Sequence, residues 1–173
     1  SKEGKELARF GKGEPPDGLI DPVDLTVHPD GRVFLLDKSS YVTIYSKKGT
    51  FLKKWHAALL DKKDRLKDGN YLRQQHRSMS IVIPPDGKTV YVLNSGQTKV
   101  RQFTLDGKFI RVWGGERSSE PGKIRWSRGI TVNGKGEVIV ADTDNERLQM
   151  FTSTGDFIRT FRGPHNDVDG VFH

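Results

Sequence analysis

Cysteine is absent from the 173-residue chain, which excludes disulfides and thiolate metal ligands and leaves the redox compartment open. No apolar run approaches the ~18 residues of a membrane span, and the opening segment SKEGKELARF lacks the apolar stretch of a signal peptide. A soluble protein is expected, cytoplasmic by default, with an extracellular setting still open. Histidine is sparse and scattered: His28, His56, His76, His165 and His173 form no close ligand pair, so no metal site and no cofactor are expected. Acidic residues are outnumbered, 22 against 29 Lys and Arg, for a net charge of +7. That balance favours a polyanionic partner such as RNA, or reflects a basic solubilising surface. With 34% hydrophobic residues, one domain with a continuous core is within reach.

What the sequence does contain is a repeat. SKKGTFLKKW (Ser46 to Trp55) returns as TLDGKFIRVW (Thr104 to Trp113) and as TSTGDFIRTF (Thr152 to Phe161), and SKEGKELARF (Ser1 to Phe10) is a fourth copy. Upstream of the later copies run VDLTVHPDGRVFLLD (from Val23), MSIVIPPDGKTVYVLN (from Met79) and RGITVNGKGEVIVAD (from Arg128). Each pairs two β-branched runs across a glycine turn: Asp30-Gly31, Asp86-Gly87 or Lys135-Gly136. A third strand is expected over Tyr41 to Tyr45, Lys99 to Phe103 and Arg147 to Phe151. Glycine turns at Gly49, Gly107 and Gly155 then lead into a fourth. Four antiparallel strands in a repeat of about 45 residues is the blade of a β-propeller, and such blades must stack to bury their faces.

The fold expected is therefore all-β: a β-propeller segment over residues 1–173, with three blades and partial ends. Residues 1–10 read as the fourth strand of a preceding blade, 22–55 as blade 1, 77–113 as blade 2 and 126–161 as blade 3. Residues 56–76 form a long charged connector with a helix-compatible start, 114–125 a shorter one, and 162–173 the start of another blade. Partial ends imply either a piece of a longer protein or closure with another chain, so the remaining blades count among the expected partners.

The third unit, RGITVNGKGEVIVADTDNERLQMFTSTGDFIRTF (Arg128 to Phe161), resembles the NHL repeats. Blades 1 and 2 are looser, with Tyr41 and Lys99 in the place of Arg147, and Ser39-Ser40 and Gln97-Thr98 in that of Asn145-Glu146. The resemblance implies a six-bladed ring with first strands lining a central channel. It also implies a binding rim built from the fourth-to-first and second-to-third connectors, as in the NHL domains of tripartite-motif ubiquitin ligases and related RNA regulators. No RING module accompanies it here.

Aligning the units on their glycine turns brings Arg73, His76, Arg77, Lys123, Arg125 and Arg128 to that rim, beside Tyr71 and Trp126. Cations interleaved with aromatics suit single-stranded nucleic acid, because phosphates need charge and bases need flat apolar faces. Trp126 also fits a core position between blades, with the cations merely solvated. Asp37, Asn94 and Asp142, before a turn, read as acceptors for connector backbone. Arg147 and Gln149 read as an interblade hydrogen-bonding pair, and Tyr45, Phe103, Phe151, Trp55, Trp113 and Phe161 as aromatics packed between blades. No catalytic set emerges. Three function classes follow, in this order: a noncatalytic scaffold binding single-stranded or stem-loop RNA through the rim, a protein-binding adaptor or sensor propeller, and a metal-dependent propeller lyase or lactonase.

Overall fold

The computed structural model describes residues 21–57 and 78–162; the expected strand at 1–10, the expected connector 56–76 from residue 58 on and the expected blade start 162–173 from residue 163 on lie outside them. Three four-stranded antiparallel sheets are present, each a simple up-and-down meander. The first holds β1 (Pro22–Val27), β2 (Val33–Asp37), β3 (Tyr41–Tyr45) and β4 (Phe51–His56). The second holds β5 (Ser78–Val82), β6 (Thr89–Asn94), β7 (Lys99–Thr104) and β8 (Phe109–Gly114). The third holds β9 (Gly129–Val132), β10 (Val138–Asp142), β11 (Arg147–Phe151) and β12 (Phe157–Phe161). Among the described residues the only helical element is a 3-10 turn at Thr143–Asn145. The architecture is that of propeller blades, with first strands β1, β5 and β9 side by side.

Strand periodicity explains how the blades stack. Successive side chains of a strand point to opposite faces, so a middle strand serves two interfaces at once. In β6, Val90 and Val92 join Phe34, Leu36 and Trp55 between blades 1 and 2. The alternate residues Tyr91 and Leu93 join Ile130, Val138 and Phe151 between blades 2 and 3. This is why β6 is a continuous apolar run, buried from Val90 to Asn94. Polar bonds add register: Asp24 accepts from the Ser80 hydroxyl (2.7 Å) and the Ile81 N–H (2.9 Å), and His28 Nε2 donates to Gly87 O (2.9 Å).

The expected aromatics repeat in space. Trp55 packs on Phe103 with ring centroids 5.0 Å apart, and one blade later Trp113 lies 6.4 Å from Phe151 and 5.7 Å from Tyr91. Tyr45, Phe103 and Phe151 are all buried. Phe161 departs from the expectation. It is only half-buried, with the Arg159 guanidinium 4.5 Å over its ring, because no further described sheet lies against blade 3.

At the end of the second strands, Asp37 and Asn94 act as expected. Asp37 accepts from the N–H groups of Ser39 (2.8 Å) and Tyr41 (2.9 Å), and Asn94 from that of Gln97 (2.8 Å). Burial pushes the Asp37 carboxyl above the usual carboxylate range, against the opposing pull of these bonds and of the Lys54 charge. A carboxyl raised on folding holds its proton more tightly in the native state, so its stabilising contribution is full below the unfolded value of about 3.9 and is lost as pH rises through the native one. Asp37→Asn, the residue blade 2 already uses, keeps the acceptor oxygen. It is expected to flatten the loss of stability with rising pH just above the ordinary carboxylate range, as read from melting temperatures across that window; an unchanged profile would contradict this.

Candidate ligand-binding rim

The segment joining β8 to β9 is pinned from both sides. Gly115 N–H donates to Thr98 O (2.8 Å) and the Arg117 guanidinium to Gly96 O (3.0 Å), tying the start of the connector to the second-to-third turn of blade 2. On the blade 3 side, Asn145 donates to Ser118 O (3.0 Å) and Asp144 N–H to Arg125 O (3.3 Å). Connectors of the two expected kinds thus meet at one rim.

The pins converge on Asp142. Its Oδ1 accepts from Arg125 N–H (2.6 Å), and its Oδ2 from Asn145 (2.8 Å), Arg147 (2.8 Å) and Gln149 (2.9 Å). Arg147 also donates to the carbonyls of Ser119 (2.6 Å), Glu120 (2.9 Å) and Lys123 (2.9 Å). Gln149 donates to Lys123 O (2.6 Å) and accepts from Gly122 N–H (2.9 Å). Arg147 and Gln149 therefore act together through Asp142 and the connector backbone rather than by bonding each other. Asp142 reaches the preceding connector as well as the following turn, a larger role than that of Asp37 or Asn94.

Between residues 124 and 128 burial alternates sharply: Ile124 and Ser127 are fully buried, while Arg125, Trp126 and Arg128 face outward. The core placement considered for Trp126 is overturned, since the ring is 40% exposed. The reason is backbone geometry. Trp126 has φ 49°, and Asp21, at the equivalent place before β1, has φ 47°. Aspartate tolerates that left-handed region, whereas a bulky side chain there is strained by roughly 1–2 kcal/mol.

Arg117 lies over the Trp126 ring, 5.6 Å from its centroid, within cation–π range. Arg125 Nε stands 3.8 Å from the Asp144 carboxylate. These four residues, Arg117, Arg125, Trp126 and Asp144, line an open cleft of about 340 Å3. Sequence reasoning had found Arg125 and Trp126 but missed Arg117 and Asp144. Both belong to connectors already named as rim-forming, and Arg117 shares its connector with Lys123 and Arg125.

The other expected site residues are distributed differently. Lys123 is half-exposed, with Nζ 2.6 Å from Glu116, so its charge is locally answered. Arg128 is exposed at the start of blade 3 but does not line the cleft. Tyr71, Arg73, His76 and Arg77 lie outside the described residues. Among the described residues no group of three or more His, Asp or Glu side chains is arranged to hold a metal. His28 and His56 both bond backbone carbonyls, those of Gly87 and Ser39.

No family model matches the sequence. The chain is 36% identical over 70 residues to peptidyl-glycine alpha-amidating monooxygenase B of Xenopus laevis, a stretch covering 38% of this chain and 8% of that protein. It is 33% identical over 70 residues to the B-box type zinc finger protein ncl-1 of Caenorhabditis elegans, covering 40% and 8%. Among solved structures it is similar to a catalytically inactive variant of virginiamycin B lyase from Staphylococcus aureus, solved with quinupristin, with a TM-score of 0.59 at 18% identity over 84% of this chain and 42% of that one. The chain thus spans a small part of the curated relatives it matches and under half of that structural neighbour. The structural likeness shows a β-propeller fold, and enzymes are among the proteins it resembles.

Proposed function

We propose that the chain is part of a noncatalytic NHL-type recognition propeller that binds single-stranded RNA through the rim around Trp126. The observation that carries this reading is the indole itself: an outward-facing tryptophan at φ 49°, with Arg117 over its ring and Arg125 lining the same cleft. Backbone strain maintained by surrounding structure is common where a ligand is met. A flat apolar face for a base, with guanidinium groups for phosphates, is what sequence-tolerant single-strand binding needs. The net charge of +7 adds long-range attraction for a polyanion.

The test is binding to a degenerate short-RNA pool by the parental chain and by an Arg125→Ala, Arg128→Ala double variant whose melting temperature is unchanged. Binding that weakens at least tenfold in the variant supports the reading. No binding at low salt, or equal binding by both proteins, turns the assignment to a protein partner docking on the exposed Trp126.

A second reading is favoured by one observation, the similarity to an amidating monooxygenase and to a lyase. Under it the propeller supports metal-dependent lyase or lactonase chemistry. A stoichiometric divalent metal in the purified chain, lost together with activity on chelation, would establish that alternative.

A further inference from the structure

We propose, resting on the RNA-binding reading, that the cleft of Arg117, Arg125, Trp126 and Asp144 is a subsite selective for guanine. Asp144 is the one lining residue that does not suit a phosphate site. A carboxylate beside two guanidinium groups weakens their attraction for an anion, so Asp144 must be repaid by a ligand that brings donors. Its pairing with Arg125 is loose, 3.8 Å between Nε and Oδ2, and its side chain is 44% exposed, so lone pairs remain for incoming N–H groups. The backbone that carries it is nonetheless held in place, because Asp144 lies in the 3-10 turn Thr143–Asn145 and its N–H is tied to Arg125 O.

Single-stranded bases are read by stacking on an aromatic ring while their Watson–Crick edge meets polar side chains. Trp126 is the stacking surface once a base displaces the Arg117 guanidinium from over its ring, and Asp144 lines the same cleft as the acceptor. Guanine alone offers two adjacent donors on that edge, N1–H and the N2 amino group, matching the two oxygens of a carboxylate. Adenine and cytosine each present an amino donor next to an acceptor nitrogen, and uracil a single N–H flanked by two carbonyls. Each of these sets a lone pair against the carboxylate. The arginines then take the phosphates on either side, Arg117 keeping its bond to Gly96 O.

The experiment uses the intact 173-residue chain and fluorescently labelled uridine octamers carrying one central guanosine, inosine, adenosine or cytidine. The guanosine octamer is expected to bind about tenfold tighter than its inosine counterpart, which lacks only the N2 amino donor. Asp144→Asn is expected to erase that difference, because the paired carboxylate oxygens that accept both N1–H and N2–H are gone. Equal affinity for all four octamers, with the Arg125→Ala, Arg128→Ala variant weakened on each, would overturn guanine selectivity and leave RNA binding standing. Discrimination unchanged in Asp144→Asn would overturn the role of the carboxylate. Failure of every octamer to bind would sink both this inference and the reading beneath it.

Discussion

Asp142→Ala is expected to lower the unfolding free energy by about 3–5 kcal/mol, because it strips the counter-charge from a buried arginine. Asp142 and Arg147 have side chains 0% and 2% exposed and meet at 2.8 Å. Removing the carboxylate leaves Arg147 charged in the interior, and it also orphans the Arg125 N–H, which has Asp142 Oδ1 as its acceptor. Where a buried pair stands alone, replacing both partners by apolar residues can be nearly neutral. That escape is closed here, since Arg147 also holds the carbonyls of Ser119, Glu120 and Lys123. The double Asp142→Leu, Arg147→Met variant is therefore expected to stay well below the parent in denaturant unfolding. A loss under about 1 kcal/mol for Asp142→Ala, the level of an exposed pair, would mean the connector is held by other contacts.

Gly155→Ala should cost about 2–4 kcal/mol by two additive routes, backbone strain and overpacking. Gly155 sits at φ +94°, and a Cβ there would lie 2.7 Å from the Trp113 ring. The same socket recurs one blade earlier, where a Cβ on Gly107 would approach Trp55 to 2.5 Å. Gly136→Ala is the internal control. Its φ is +81° but nothing lies within 4 Å of the added carbon, so only the backbone cost of roughly 1–2 kcal/mol remains. Equal losses for the two variants would show that the tryptophan-over-glycine contact does not set the blade spacing. Coupling between Gly155→Ala and Trp113→Ala, measured as a double-mutant cycle, would locate the penalty at that contact.

These sockets explain why the fold could be read from the sequence. Each glycine turn fixes where a strand ends, the tryptophan six positions beyond Gly49 and Gly107 returns to the same place against the next blade, and the period-2 runs between them fix the facing. Asp37, Asn94 and Asp142 were recognisable as backbone acceptors because a short polar side chain before a turn has few other uses. The rim was only half legible. Trp126 faces outward at a positive φ, between a residue whose N–H Asp142 holds and the buried Ser127. Neither is written in residue type. Arg117 and Asp144 escaped notice because they lie on connectors of different blades and meet only after the connector is pulled down by Arg147 and Asn145. Lys123 also serves the rim through its backbone carbonyl, bonded by Arg147 and Gln149, while its ammonium faces Glu116.

The central claim, that this rim grips the phosphates of a single strand, is tested most directly by the salt dependence of binding to one RNA octamer. Each phosphate contact contributes about −0.7 to the slope of log K against log salt for single strands. A steep negative slope is expected for the parent, and a slope shallower by roughly 0.7 for each of Arg125 and Arg128 removed. Parallel lines for parent and double variant would mean that these arginines touch no phosphate, and the rim would then have to be reassigned to another ligand.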